Sequence, residues 1–126
     1  EGKDLTIISC SREVNFALEA AKTLEQEGID VEVLDLRSLV PLDWDAIKAS
    51  ISKTHNAIIV SEEVKRGSFA GELSAEISEE LFDELDAPVE RVCGLNICSP
   101  FSPVLEDENF PHPADIVAAV KRVLNK

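Results

Sequence analysis

The stretch "NAIIVSEEVKRGSFAGELSAEI" (56–77) joins an apolar run to an amphipathic run through a glycine-bearing turn. "NAIIV" (56–60) has the length and β-branched content of a buried strand. Beyond the turn, Leu73, Ile77, Leu81 and Leu85 recur at helical spacing and predict a helix over 70–85. Strand, turn and helix in this order make half of a crossover unit, and the same order builds many phosphate sites. Both the fold and the chemistry of the chain hang on which of these the stretch is.

The unit recurs along the chain. "LTIISC" (5–10) predicts a first strand, and "REVNFALEAAKTLEQEG" (12–28) a helix with Val14, Ala17, Leu18, Ala21 and Leu24 facing inward and Gly28 as its stop. "VEVLDL" (31–36) predicts a second strand; "PLDWDAIKASIS" (41–52) predicts a helix capped by Asp43, with Trp44, Ile47 and Ile51 on one side. "VERVCG" (89–94) is the fourth strand, a proline-rich loop runs from Gly94 to His112, and a last helix spans Pro113 to Leu124 with proline in its first turn. Strands alternating with amphipathic helices predict an α/β fold of three layers, α/β/α, around a mainly parallel twisted sheet. Ligands of such sheets gather at the carboxyl ends of the strands, here the loops after residues 10, 36, 60 and 94.

With 126 residues, 44% of them apolar, the chain is expected to form a single domain over 1–126. It begins at Glu1 and contains no methionine, as expected of a piece of a longer polypeptide. Twelve basic against twenty-five acidic residues give a formal charge of −13, which repels nucleic acid and anionic membranes and leaves a basic protein partner open. No apolar run approaches the roughly 20 residues that span a bilayer. Cys10, Cys93 and Cys98 are too few and too unevenly spaced for a disulfide scaffold and point to a reducing compartment. With His55 and His112 far apart, they also lack the ligand spacing of a metal site.

The turn itself carries no complete motif. A dinucleotide fingerprint requires G-x-G-x-x-G and a P-loop G-x-x-x-x-G-K-[ST]; Gly67 and Gly71 satisfy neither, and Glu62, Glu63 and Glu72 oppose an anion at the helix start. The glycines are expected to permit a left-handed turn or a close helix-to-strand approach. Glu62 and Glu63 alternate if the strand reaches them, so they do not converge as a carboxylate dyad. Ser9, Ser11 and Ser61 have no nucleophile elbow, and each histidine is expected to be a turn residue rather than a catalyst. Glu76, Glu79, Glu80, Asp83 and Glu84 form an acidic stripe, expected to be a solvated face or a dock for a basic partner.

Four segments, "VEVLDLRSLVPLD" (31–43), "GSFAGE" (67–72), "LDAPVERVCG" (85–94) and "PADIVAAVKRVL" (113–124), together resemble one family. The resemblance is to the carboxy-terminal domain of the β subunit of thiamine-diphosphate-dependent 2-oxo acid dehydrogenases, most closely the pyruvate dehydrogenase decarboxylating component, within the transketolase carboxy-terminal superfamily. It implies an antiparallel edge strand just ahead of Glu1, and an assembly and docking domain of an acetyl-transferring enzyme that is inactive alone. Thiamine diphosphate and magnesium would then be held elsewhere in the full enzyme, with no catalytic, cofactor or metal residue here. The implied partners are an α subunit and a second β subunit of a heterotetramer, and the small basic subunit-binding domain of dihydrolipoyl acyltransferase. Asp86 and the terminal carboxylate at Lys126 are the implied contacts to the latter. The implied location is the cytoplasm in a bacterium and the mitochondrial matrix in a eukaryote. Ser61, Ser68 and Phe101 depart from the histidine, glycine and tyrosine of many relatives. Arg37 is open to two roles, a subunit contact or a salt bridge to a local acid. Branched-chain or acetoin dehydrogenase β subunits, transketolase-like or deoxyxylulose-phosphate synthase enzymes, and a stand-alone flavodoxin-like module remain as alternatives.

Overall fold

All five residues of β1 (Leu5–Ser9) are buried, so this strand must be covered on both faces and paired on both edges. The computed structural model describes residues 1–126 and meets that demand. After β1 come α1 (Glu13–Gln26), β2 (Val31–Asp35), α2 (Trp44–Thr54), β3 (Ala57–Val64), α3 (Phe69–Glu80), a 3-10 turn (Phe82–Glu84), β4 (Glu90–Gly94), α4 (Pro103–Asn109) and α5 (Pro113–Val123). The sheet has the order β2-β1-β3-β4 and is parallel throughout, with Ile7 opposite Val33 on one side and Ile58 on the other.

Alternation along the strands sorts the core into two halves. Leu5, Ile7, Ile58, Val60 and Val92 pack with Ala17, Ala20, Leu24, Ile116 and Val120, which belong to α1 and α5. Ile8, Ala57 and Ile59 pack with Ile47, Ile51, Leu73 and Ile77, from α2 and α3. The expected three-layer α/β/α arrangement is thus the observed one. Each fully buried leucine or isoleucine contributes roughly 1.5–3 kcal/mol relative to an exposed one, so these two clusters are the main source of stability.

Four expectations need correction. The buried face of α1 is Glu13, Ala17, Ala20 and Leu24 rather than the Val14-to-Leu24 set, and Leu18 is 47% exposed. β3 runs four residues past Val60, because its continuation pairs with β4 across a bulge between Ser61 and Val64. There Gly94 lies so close to the chain that a Cβ would sit 2.9 Å from the Glu62 carbonyl oxygen. α3 ends at Glu80, and the predicted last turn is the 3-10 segment, since the chain must redirect before Pro88. The proline-rich loop contains α4, entered at Pro103, where the missing N–H costs nothing.

A polar strip crosses the α2 side of the sheet. The Thr6 hydroxyl lies 2.7 Å from both the Ser50 and the Thr54 hydroxyls, and all three residues are buried. Ser50 donates to Glu32 at 2.7 Å, and Glu32 also accepts from Lys53 and from the Gly2 N–H. Burial pushes the Glu32 carboxyl up, but these donors outweigh it and hold the group below the usual carboxylate range. Thr6→Val preserves shape while removing the shared hydroxyl, and is expected to lower stability by about 1–3 kcal/mol, read by urea denaturation. An unchanged midpoint would show that the strip contributes nothing.

Candidate functional site

The crossover from β1 to β2 runs to one side of the sheet and the route onward to β3 to the other, so the sheet reverses direction at the carboxyl ends of β1 and β3. A cavity of about 150 Å³ lies there, lined by Ser9, Cys10, Leu36, Ser61, Phe69 and Leu73 among others. Three of its polar side chains are bonded within the chain. Ser9 donates to the Val60 carbonyl at 3.0 Å, and Ser61 Oγ accepts from the Glu63 N–H at 3.2 Å. The Glu63 side chain then accepts from the Phe69 N–H at 3.2 Å, so its carboxylate fills the amino end of α3 where a phosphate would sit. Gly67, at φ +69°, supplies the left-handed turn that brings α3 back onto this carboxylate. The opening stretch is therefore a tight corner whose helix start accepts an anion from within the chain.

Cys10 beside this cavity sits where the thiolate is disfavoured. Burial pushes its thiol up, and Glu63, Glu62, Asp35 and Glu13 push it further, all disfavouring the thiolate. Burial likewise raises Cys93 against the opposing effect of Arg91 and Lys65. Both histidines serve turns: His112 Nε2 donates to the Asp107 carbonyl at 2.8 Å, and His55 Nδ1 to the Glu84 carbonyl at 2.9 Å. Arg37 pairs with Asp35 at 3.1 Å while its side chain stays exposed. Within the acidic stripe, Glu80 accepts from Trp44 Nε1 at 2.9 Å and pairs with Lys48 at 2.8 Å, tying α3 to α2; Asp83 and Glu79 face solvent.

Sequence patterning missed Glu13, because a glutamate in a first helical turn normally faces water. Its side chain is 1% exposed; Oε1 accepts from Arg12 at 3.2 Å while Oε2 has no partner. Arg12 itself lies over the Phe110 ring at 4.4 Å and reaches Glu62 at 3.7 Å, so it draws the start of α1, the end of β3 and the entry to α5 together. The signal available in the sequence was the Arg-Glu pair directly after a strand, which no periodicity rule picks out.

The groups expected to bind a partner lie at the opposite end of the sheet. Asp86 is exposed at the amino end of β4. With Pro88, Arg91, Arg122 and Asn125 it lines an open groove of about 600 Å³, and with Phe82, Leu85 and Pro88 it lines a second of about 330 Å³. Phe82 is 74% exposed beside it. Lys126 is exposed next to Asn125, its N–H bonded to the Lys121 carbonyl at 2.9 Å. Folding thus places Asp86 and Asn125, some forty positions apart in sequence, on one rim, with Lys126 next to Asn125 in sequence but not in the groove lining.

Glu13 yields a signed expectation. Burial pushes its carboxyl above the ordinary range, against the smaller lowering by Arg12. The folded chain then binds more protons than the unfolded chain between the ordinary and the raised value, so stability falls as pH rises through that window. Glu13→Gln is expected to flatten this slope and to melt higher than the parent above the window, by calorimetry across a pH series. Parallel profiles for the two proteins would show that Glu13 is not the titrating group.

The chain matches the family described as "Transketolase, C-terminal domain" over residues 1–116. It is 45% identical to acetoin:2,6-dichlorophenolindophenol oxidoreductase subunit beta of Bacillus subtilis (strain 168), covering 100% of this chain and 37% of that one. It is 46% identical to pyruvate dehydrogenase E1 component subunit beta of Porphyra purpurea, covering 99% and 38%. A solved split gene transketolase, an inactive beta4 tetramer, superposes with a TM-score of 0.82 at 33% identity over 99% of this chain and 40% of its own. The chain therefore spans less than two-fifths of the length of those two β subunits. A parallel sheet of this order flanked on both faces, a family match over residues 1–116 and similarity to β subunits along the whole of this chain agree: the chain belongs to the transketolase carboxy-terminal domain family.

Proposed function

We propose that this chain is the assembly and partner-docking domain of a thiamine-diphosphate-dependent 2-oxo acid dehydrogenase β subunit, of the pyruvate dehydrogenase type, without catalysis of its own. The observation that carries this reading is the rim shared by Asp86 and the carboxy-terminal residues, exposed and bordered by the apolar Phe82 and Pro88. A carboxylate in such a setting suits a charge-assisted bond to an arginine or lysine of a small basic domain, as in dihydrolipoyl acyltransferase. The charge of −13 adds steering that salt screens. The α subunit and a second β subunit are the further partners. Leu95, Ile97, Phe101, Val104 and Leu105 are each more than half exposed and offer them an apolar surface.

The remaining parts follow from the same reading. Residues 1–126 act as one domain, and a strand from preceding chain covers the outer edge of β2, which lies at the end of the sheet order. Thiamine diphosphate and magnesium sit on other domains of the full enzyme and supply its decarboxylation and acetyl-transfer chemistry. The whole enzyme works in the mitochondrial matrix of a eukaryote or the cytoplasm of a bacterium. Acetoin as the substrate class is the second reading, favoured by the Bacillus relative.

Asp86→Ala is expected to weaken binding of the acyltransferase's subunit-binding domain by about 2–5 kcal/mol, the usual result of truncating one member of a charge pair that docking desolvates. Calorimetric titration at two salt concentrations reads it. An affinity equal to the parent's at both would remove Asp86 from the interface.

A further inference from the structure

The backbone at Asp86 is bonded to a residue more than thirty positions earlier. His55 closes α2 and stands before β3 with φ +56°, a left-handed conformation that glycine or asparagine usually supplies at a helix end. Its own N–H satisfies the Ile51 carbonyl at 2.7 Å, as the end of α2 requires. Two further bonds leave the same residue toward the segment before β4. The His55 carbonyl accepts from the Asp86 N–H at 2.8 Å, and Nδ1 donates to the Glu84 carbonyl at 2.9 Å. A carbonyl oxygen only accepts, so the proton is on Nδ1, and the Glu84 carboxylate lies 4.0 Å from that nitrogen.

Apart from Leu85, which packs against the α2 and α3 half of the core, the 82–86 segment is held by few bonds at this point. The Glu84 and Leu85 N–H groups close local turns onto Leu81 and Phe82, and Phe82 turns outward. Neither bond relates the segment to the sheet. The two bonds from His55 do, because its neighbour Asn56 is tied to β1 through the Thr6 N–H at 2.8 Å. A non-glycine residue in a left-handed conformation costs of order 1 kcal/mol or more, and glycine here would relieve it. A glycine would form the helix end and the Asp86 backbone bond equally well; what it cannot make is the imidazole bond to Glu84.

We propose that His55 is the positioning residue of the docking rim: its carbonyl and imidazole together set the backbone at Glu84 and Asp86, and so the direction in which the Asp86 carboxylate meets a basic partner. This rests on Asp86 being a docking carboxylate. The probe is a purified subunit-binding domain of dihydrolipoyl acyltransferase, titrated calorimetrically against the parent, His55→Gly, His55→Asn, Asp86→Asn and the double variant H55G/D86N, each also melted. Asparagine tolerates the left-handed backbone and carries an Nδ2 donor at a reach close to that of the imidazole Nδ1.

His55→Gly is expected to melt at or above the parent yet bind roughly tenfold more weakly, whereas His55→Asn keeps most of the affinity. In the Asp86→Asn background the His55→Gly effect should largely vanish, because the two residues act through one contact. Parent-like binding by His55→Gly overturns the proposal, as does an affinity loss that persists at full size without the Asp86 charge or that merely follows a lower melting temperature. Parent-like binding by Asp86→Asn overturns the docking role itself, and with it this inference, so the two failures are told apart.

Discussion

Everything in this domain depends on keeping one short strand dry. β1 is buried from Leu5 to Ser9, so its backbone must find partners on both edges, and parallel pairing to β2 and β3 provides them. Parallel neighbours require crossovers, and each crossover helix must cover a face, which sends α1 to one side and α2 to the other. The two polar side chains on this strand show how strict the demand is. Thr6 is satisfied by Ser50 and Thr54, and Ser9 by the Val60 carbonyl. A buried hydroxyl without such a partner would work against the burial that drives the strand inward.

The two ends of the sheet treat charge in opposite ways. At the carboxyl ends, where a ligand would be sought, Glu63 closes the start of α3 and Arg12 bridges Glu13 and Glu62. The chain answers its own helix end with its own anion. At the amino end of β4 the reverse holds: Asp86 is exposed without a salt bridge within 4.0 Å, next to apolar side chains that are also uncovered. In so strongly acidic a chain the exposed carboxylates dominate the surface field, which attracts basic groups and repels anions.

The sheet order also shows where topology stops being informative. The order β2-β1-β3-β4 is shared with flavodoxin-type sheets, in which the same reversal point holds a phosphate. Side chains at that point bear on the distinction, since a carboxylate at the helix start competes with the anion that the same backbone would otherwise receive. Similarity over the whole chain to β subunits of both the acetoin and the pyruvate enzymes, at 45% and 46% identity, agrees with that separation and does not rank the two substrates.

Local patterning was enough to determine the alternation of strands and helices, the parallel three-layer class, the Asp43 cap that accepts from the Ala46 N–H at 3.1 Å, and the left-handed turn at Gly67. These features arise from periods of two and 3.6 and from backbone preferences, which act between near neighbours. Tertiary structure alone decided the rest. Glu13 goes inward and Leu18 outward because the packing of α1 against α5 and the sheet selects a face that hydrophobicity marks only weakly. β3 lengthens because β4 is there to pair with it. Asp86 comes to line one groove with Arg122 and Asn125, and His55 meets Glu84, only after the crossovers fold distant segments together. Contacts of that kind depend on which surfaces win burial across the whole chain, and no short window of residues contains that competition.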